Sequence, residues 1–145
     1  MEKMNEKEVG STGAMSPGPD EKASAIIQLA GEWRYLAGYA KHAGVAELPL
    51  RELEENASIW VNGGMNERYQ LGFACEVVSK LLEQFNRRAW QLLKQVLPGD
   101  VEVITSATHK AFSISLYGRG TYNIRNTLKQ LGFRWSGSSW DMVTS

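Results

Sequence analysis

The sequence predicts an α+β fold, with three helices followed by a small β-β-α-β-β lobe. Three observations predict it. Apolar residues recur at spacings of three and four from about residue 20 to residue 97. The period falls to two directly after Pro98-Gly99. The chain then closes on one more amphipathic segment and two tryptophans five apart, Trp135 and Trp140. At 145 residues there is room for one ordinary domain or for two small lobes sharing a core. A hydrophobic content of 43% with 10% aromatic residues is that of a folded globular chain.

Residues 1–19, MEKMNEKEVGSTGAMSPGP, are polar, rich in Gly, Ser and Pro, and without period, which reads as a flexible arm. A helical domain over residues 20–98 follows. Asp20 is placed to cap a first helix running to about His42, its side chain accepting from unpaired N–H groups of the first turn. Ile26, Leu29, Ala30, Trp33, Leu36, Ala37 and Ala40 give that helix one apolar stripe, and Gly44 suits the left-handed residue that ends it. A second helix begins at Pro49, where a missing N–H costs nothing, and runs through LRELEEN with Leu50 and Leu53 inward. Ser58 to Asn66, SIWVNGGMN, reads as a short apolar piece and a turn broken at the paired glycines.

The longest helix spans about 67–97 and stops at Pro98-Gly99. Its stripe is Leu71, Ala74, Val78, Leu81, Leu82, Phe85, Ala89, Leu92, Leu93 and Val96, widened by Phe73, Val77 and Trp90. One neighbouring helix is too narrow to cover it. Two other helices or a second copy of the chain would, so the stripe also allows a homo-oligomer.

Residues 99–145 form the lobe. Val101, Val103 and Thr105 alternate with Glu102 and Ile104, and Phe112, Ile114 and Leu116 with Ser113, Ser115 and Tyr117, as half-buried strands do. TSATHK between them is short enough for a hairpin. Thr121 then caps a helix from about Tyr122 to Leu131, with Ile124, Leu128 and Leu131 inward and Gly132 ending it. Phe133–Trp135 and Trp140–Met142 form a second hairpin around SGSS. A four-residue loop there sets Trp135 opposite Trp140 and Arg134 opposite Asp141, and puts Phe133, Trp135, Trp140 and Met142 on one face. Covered by the helix, these aromatics read as core rather than as a base-stacking platform.

Charge is where function enters. The formal net charge is zero, so the whole protein has no large field to draw in nucleic acid or membrane. Residues 101–145, however, carry Lys110, Arg119, Arg125, Lys129 and Arg134 against Glu102 and Asp141, a net of +3. Tyr122, Arg125 and Lys129 stand at i, i+3 and i+7, on the helix face that the core leaves to solvent. Arg119, between Gly118 and Gly120, precedes the helix, where free N–H groups and an arginine suit one phosphate. Lys110 and His109 extend the patch if their loop lies on the same side. Two readings stand, a phosphate grip and a solvated face with a glycine turn. Gly-x-Gly alone is a weak signal, and no GxxxxGK[ST] is present.

The run Asn123–Trp140, NIRNTLKQLGFRWSGSSW, resembles a small recurring module of bacterial, phage and plasmid DNA-processing proteins. Its pattern is an amphipathic helix, L-K-x-L-G-x-R-W, a short loop and a second W. It is also similar to the HARP-type damage-recognition modules attached to some DNA-remodelling ATPases. The resemblance rests mostly on Leu128, Leu131, Gly132, Phe133, Trp135 and Trp140, so it speaks to fold more than to site. It implies contact with single-stranded or branched nucleic acid through Arg125, Lys129 and Arg134, with DNA ranked ahead of RNA and the choice between them open. The helical half resembles no family.

Three functions follow in order. The first is a non-enzymatic nucleic-acid-binding accessory protein using Lys110, Arg119, Tyr122, Arg125, Lys129 and Arg134. The alternative is a phage- or plasmid-type adaptor or inhibitor that docks on a larger protein machine through the helices. An enzyme ranks third, because His42 and His109 sit in no catalytic motif and the single cysteine, Cys75, reads as a small buried hydrophobe. One cysteine also excludes an internal disulfide and a cysteine-based zinc site within one chain, and no cluster has metal-ligand spacing. No cofactor is expected. No apolar run approaches the roughly 20 residues that span a bilayer, and MEKMNEKEVG lacks the apolar core of a secretory signal. The expected setting is the cytoplasm.

Overall fold

The computed structural model describes residues 19–62 and 69–145. Of the expected arm over 1–19 all but Pro19 lies outside the described residues, as do the break at Gly63-Gly64 and a helix start at Glu67. Helix α1 spans Pro19–His42, α2 Leu50–Val61 and α3 Tyr69–Val96. Strands β1 (Glu102–Ala107) and β2 (Phe112–Tyr117) come next, then two short helices, α4 (Gly120–Asn123) and α5 (Arg125–Gln130). The chain closes with β3 (Arg134–Trp135) and β4 (Trp140–Thr144). The fold is α+β.

Because α1 starts at Pro19, Asp20 is its second residue rather than its cap, and the proline takes the first helical position where its lost donor is free of cost. At the other end Gly44 has φ +82°. Its N–H reaches the Lys41 carbonyl at 3.1 Å while Val45 reaches back to Ala40 at 3.0 Å. This double closure satisfies two terminal carbonyls and buries Val45 completely. Pro49 precedes α2 in an extended conformation (φ −59°, ψ 152°). The helix also takes in Ser58–Val61, where the sequence predicts a separate apolar piece. Leu53 faces the core, but Leu50 is 42% exposed. As the first residue of the helix it sits at the margin of the face that Leu53, Asn56 and Ala57 bury.

Cys75, Val78, Leu82, Phe85, Ala89, Leu93 and Val96 bury one face of α3 at spacings of three and four. Both α1 and α2 pack on this helix, and the sheet covers the rest. Gly72 lets α2 come close, since a Cβ there would stand 3.0 Å from the Asn56 carbonyl oxygen. Phe73 and Trp90, expected to widen the stripe, are instead half-exposed at its margins. Phe73 meets Trp60 edge to face at 5.2 Å. Trp90 donates its indole N–H to the Val103 carbonyl at 3.0 Å, and Lys94 donates to Val101 at 3.2 Å. These two side chains occupy one carbonyl of β1 and one just before it, at the edge of the sheet where a carbonyl would otherwise be open to another chain.

The sheet is antiparallel in the order β1-β2-β4-β3. Its inner face carries Val103, Phe112, Ile114, Leu116, Trp140 and Met142, and its outer face carries Glu102, Ile104, Ser106, Arg134 and Val143. Phe85 of α3 meets Phe112 at 5.0 Å and 71°, so helices and sheet share one continuous core. The β1–β2 loop adds a second join. Trp33 of α1 donates to the Thr108 carbonyl at 2.8 Å, and buried His109 bonds through Nε2 to the Leu48 carbonyl.

Candidate functional site

Between Tyr122 and Leu131 the sequence predicts one helix, and the structure has two. Ile124 leaves helical geometry (φ −113°, ψ 13°), which ends α4 after four residues and restarts the chain as α5. The run Thr121-Tyr122-Asn123-Ile124 is rich in residues that lose χ1 freedom or compete for backbone bonds in a helix. Thr121 does not cap. Its hydroxyl turns back on the Gly118 carbonyl at 2.7 Å, and it lies inside α4.

The glycines also have another cause than phosphate approach. Gly118 has φ +108°, and a Cβ there would stand 2.6 Å from the Asp100 carbonyl oxygen. A Cβ on Gly120 would collide with the Asp100 carboxylate and come within 2.9 Å of Val101 Cγ2. Glycine is required because the Pro98–Val101 turn presses on this corner. The packing of Asp100 and Val101 is thus enough to account for both glycines.

What the kink does build is a groove. One wall comes from the α4–α5 segment with Thr121, Tyr122, Arg125 and Lys129. The other comes from the β3–β4 hairpin with Trp135, Gly137, Ser138 and Trp140, and Gly118 and Arg119 close the end. Its volume is about 770 Å³. Arg125 lies 3.8 Å over the Tyr122 ring and donates from Nη1 to the Tyr122 carbonyl at 2.7 Å, so its guanidinium is held over the ring. Lys129 follows one turn later. Three cations line the groove and none of its described lining residues carries a carboxylate.

The hairpin wall is set by register. Gly132 and Phe133 close α5 with N–H bonds to Lys129 at 3.1 Å and Leu128 at 2.9 Å, which turns the chain into β3. Trp135 then pairs with Trp140 and Arg134 with Asp141, as the four-residue loop requires. Ser136 and Ser139 tie that loop through backbone and hydroxyl bonds, and Ser139 donates to Asp141 at 2.8 Å. Arg134 forms no ion pair with Asp141 among the described residues.

Trp135 is the main departure from the sequence reading. It shares its face with buried Phe133, Trp140 and Met142, but it is 54% exposed. A six-residue helix is too short to reach it. Trp140, only 7% exposed, backs its ring at a centroid distance of 5.5 Å and a tilt of 48°. The sequence predicts both tryptophans as core, and one of the pair is a surface ring. The available signal was the mismatch between a two-tryptophan hairpin and a helix offering only Ile124, Leu128 and Leu131 as cover.

Of the six residues proposed from sequence, the structure gathers Arg119, Tyr122, Arg125 and Lys129. Arg134 lies on the opposite face of the strand from Trp135. Lys110 sits at the other end of β2, about 20 Å away by strand length, and its ammonium lies 3.5 Å from the Glu47 carbonyl oxygen.

Elsewhere the chemistry is sparse. His109 is buried in the loop join, and burial pushes the Cys75 thiol up from its ordinary range. Among the described residues no group of three or more His, Cys, Asp or Glu could hold a metal ion, and no helix is long and apolar enough to cross a membrane. A groove of about 300 Å³ between α1 and α3 is bridged by an ion pair of Arg88 with Glu32. A hydrogen bond from Gln28 is the main cause that holds the Glu32 carboxyl below its usual range, with Arg88 adding to it. Exposed apolar residues on the helices are spread over α1 (Ile27, Tyr35, Tyr39), α2 (Leu50, Val61) and α3 (Phe73, Trp90). No family model, characterised protein sequence or solved structure matches the chain.

Proposed function

We propose that this protein is a non-enzymatic nucleic-acid-binding accessory protein that grips phosphates with the cationic wall of the α4–α5 groove. One observation carries the reading. Arg119, Arg125 and Lys129 converge with Tyr122, Trp135 and Trp140 on one concavity, and none of its described lining residues carries a carboxylate. In a chain of zero net charge such local segregation is unusual, and desolvating three cations is favourable only against an anion. The likeness of Asn123–Trp140 to modules of DNA-processing proteins supports the same class of ligand. Arg134 and Lys110, placed elsewhere, are peripheral to this grip.

Phosphate contact implies salt dependence. Three contacts to a single strand give a slope of about −2 in log K against log salt, so affinity falls about 20-fold between 50 and 200 mM. Fluorescence anisotropy of a labelled single-stranded oligonucleotide measures it. The Arg119→Ala/Arg125→Ala/Lys129→Ala variant, with its fold checked by circular dichroism, is expected to bind at least 10-fold more weakly and with a flatter slope. Binding unchanged in the folded variant, or none by the wild type at 50 mM salt, overturns the reading and moves the search to a protein partner.

A further inference from the structure

We propose that the groove is a receptor for an unpaired nucleobase and its flanking phosphates, so that the ligand is single-stranded nucleic acid. The inference rests on the phosphate-gripping reading above and adds what the aromatic wall is for.

Trp135 carries it. A tryptophan leaving more than half its surface in water is costly by area alone, and the short α5 leaves this one open to a ligand. Trp140, buried behind it, fixes the ring so that stacking a ligand on it loses little side-chain freedom. The opposite wall presents Tyr122, 64% exposed, with the Arg125 guanidinium stacked on its ring. A flat aromatic ligand between these walls meets an indole on one side and a phenol–guanidinium pair on the other. The volume of about 770 Å³ lies in the range of small-ligand sites, roughly 300–1,000 Å³, and admits a nucleotide. Arg119 at the closed end and Lys129 on the helix flank the rings, where the phosphates on either side of a stacked base pass.

This combination selects among anions. An acidic peptide would use the cations and leave Trp135 idle. A duplex keeps its base faces in the stack and offers only phosphates. An unpaired base satisfies both walls, and stacking of this kind tolerates any base because every base has a π-face.

The test compares fluorescein-labelled dT15 with a 15-mer of the same phosphate count carrying abasic tetrahydrofuran sites in place of bases. Wild-type protein is expected to bind dT15 about 10- to 100-fold more tightly than the abasic strand. Trp135→Ala is expected to bind both strands with the weak abasic affinity, while Trp135→Phe keeps most of the preference. Because Trp135 is half-exposed, both variants should melt within a few degrees of wild type, and the Phe variant guards against a folding artefact. A 15-mer of rU, run beside dT15, identifies the natural strand by whichever binds tighter, and base preference in either supports the proposal. Equal affinity of wild type for dT15 and the abasic strand, with salt dependence intact, overturns the base receptor and leaves the phosphate grip standing. No binding to any strand overturns both.

Discussion

Phe112→Ala is expected to destabilise the protein by about 3–5 kcal/mol, the cost of deleting a phenyl ring from a core that cannot collapse around the gap. Phe112 is fully buried at the first position of β2, pairs with Ala107 and Thr144 across two neighbouring strands, and meets Phe85 of α3 edge to face. It therefore holds the sheet against the longest helix. For a domain whose total stability is of the order of 5–15 kcal/mol, the loss is about a fifth or more. Urea titration followed by circular dichroism and by tryptophan fluorescence measures it. Because one core spans helices and sheet, both signals should move together to a lower midpoint. A loss below about 1.5 kcal/mol, or a helical signal that keeps its midpoint while fluorescence shifts, contradicts the shared core.

The glycine corner gives the second large effect. Gly118→Ala forces an L side chain into φ +108° and drives its Cβ onto the Asp100 backbone carbonyl, a neighbour that no rotamer change can move. Backbone strain of this kind costs about 1–3 kcal/mol, and the collision adds to it. Gly120→Ala meets chiefly the Asp100 carboxylate, with Val101 Cγ2 behind it. Its cost should be about 1–3 kcal/mol, as for other overpacked sites. The two substitutions differ in rescue. Adding Asp100→Ala should restore at least half of the stability lost in Gly120→Ala and none of that lost in Gly118→Ala. Equal rescue of both, by thermal melts of the four variants, would mean that Asp100 is not what makes glycine necessary here.

These cases show what can be read from a chain and what cannot. The C-terminal ends of α1 and α3, the two hairpins and the pairing of Trp135 with Trp140 follow from period, proline, glycine and loop length, all of which act within a few residues. The break at Ile124 was hidden because Ile124, Leu128 and Leu131 keep helical spacing on either side of it. The role of Gly118 and Gly120 depends on Asp100, which reaches them only through the fold. Alternation correctly sorted Trp135 to the inner face. Whether anything covers that face depends on how far α5 extends, and no local pattern encodes that. For the site, the cluster of Arg119, Tyr122, Arg125 and Lys129 was visible as spacing, whereas its opposite wall was not. Lys110 and Arg134 were added by charge alone, and the direction of a loop and the parity of a strand separate them from the groove.

The central claim, that the ligand enters the α4–α5 groove against Trp135, is tested most directly by the five indole N–H signals of the protein. A ¹H–¹⁵N spectrum, assigned with single Trp→Phe variants, would be recorded while unlabelled dT15 is added. The indoles of Trp33 and Trp90 donate to backbone carbonyls inside the fold and serve as fixed references. The account predicts shifts at Trp135 and Trp140 and at the backbone amides of Arg119 to Lys129, with Trp33 and Trp90 unmoved. Shifts gathered instead at Trp60 and the outer faces of α1 to α3, or no shift at any indole, would contradict it.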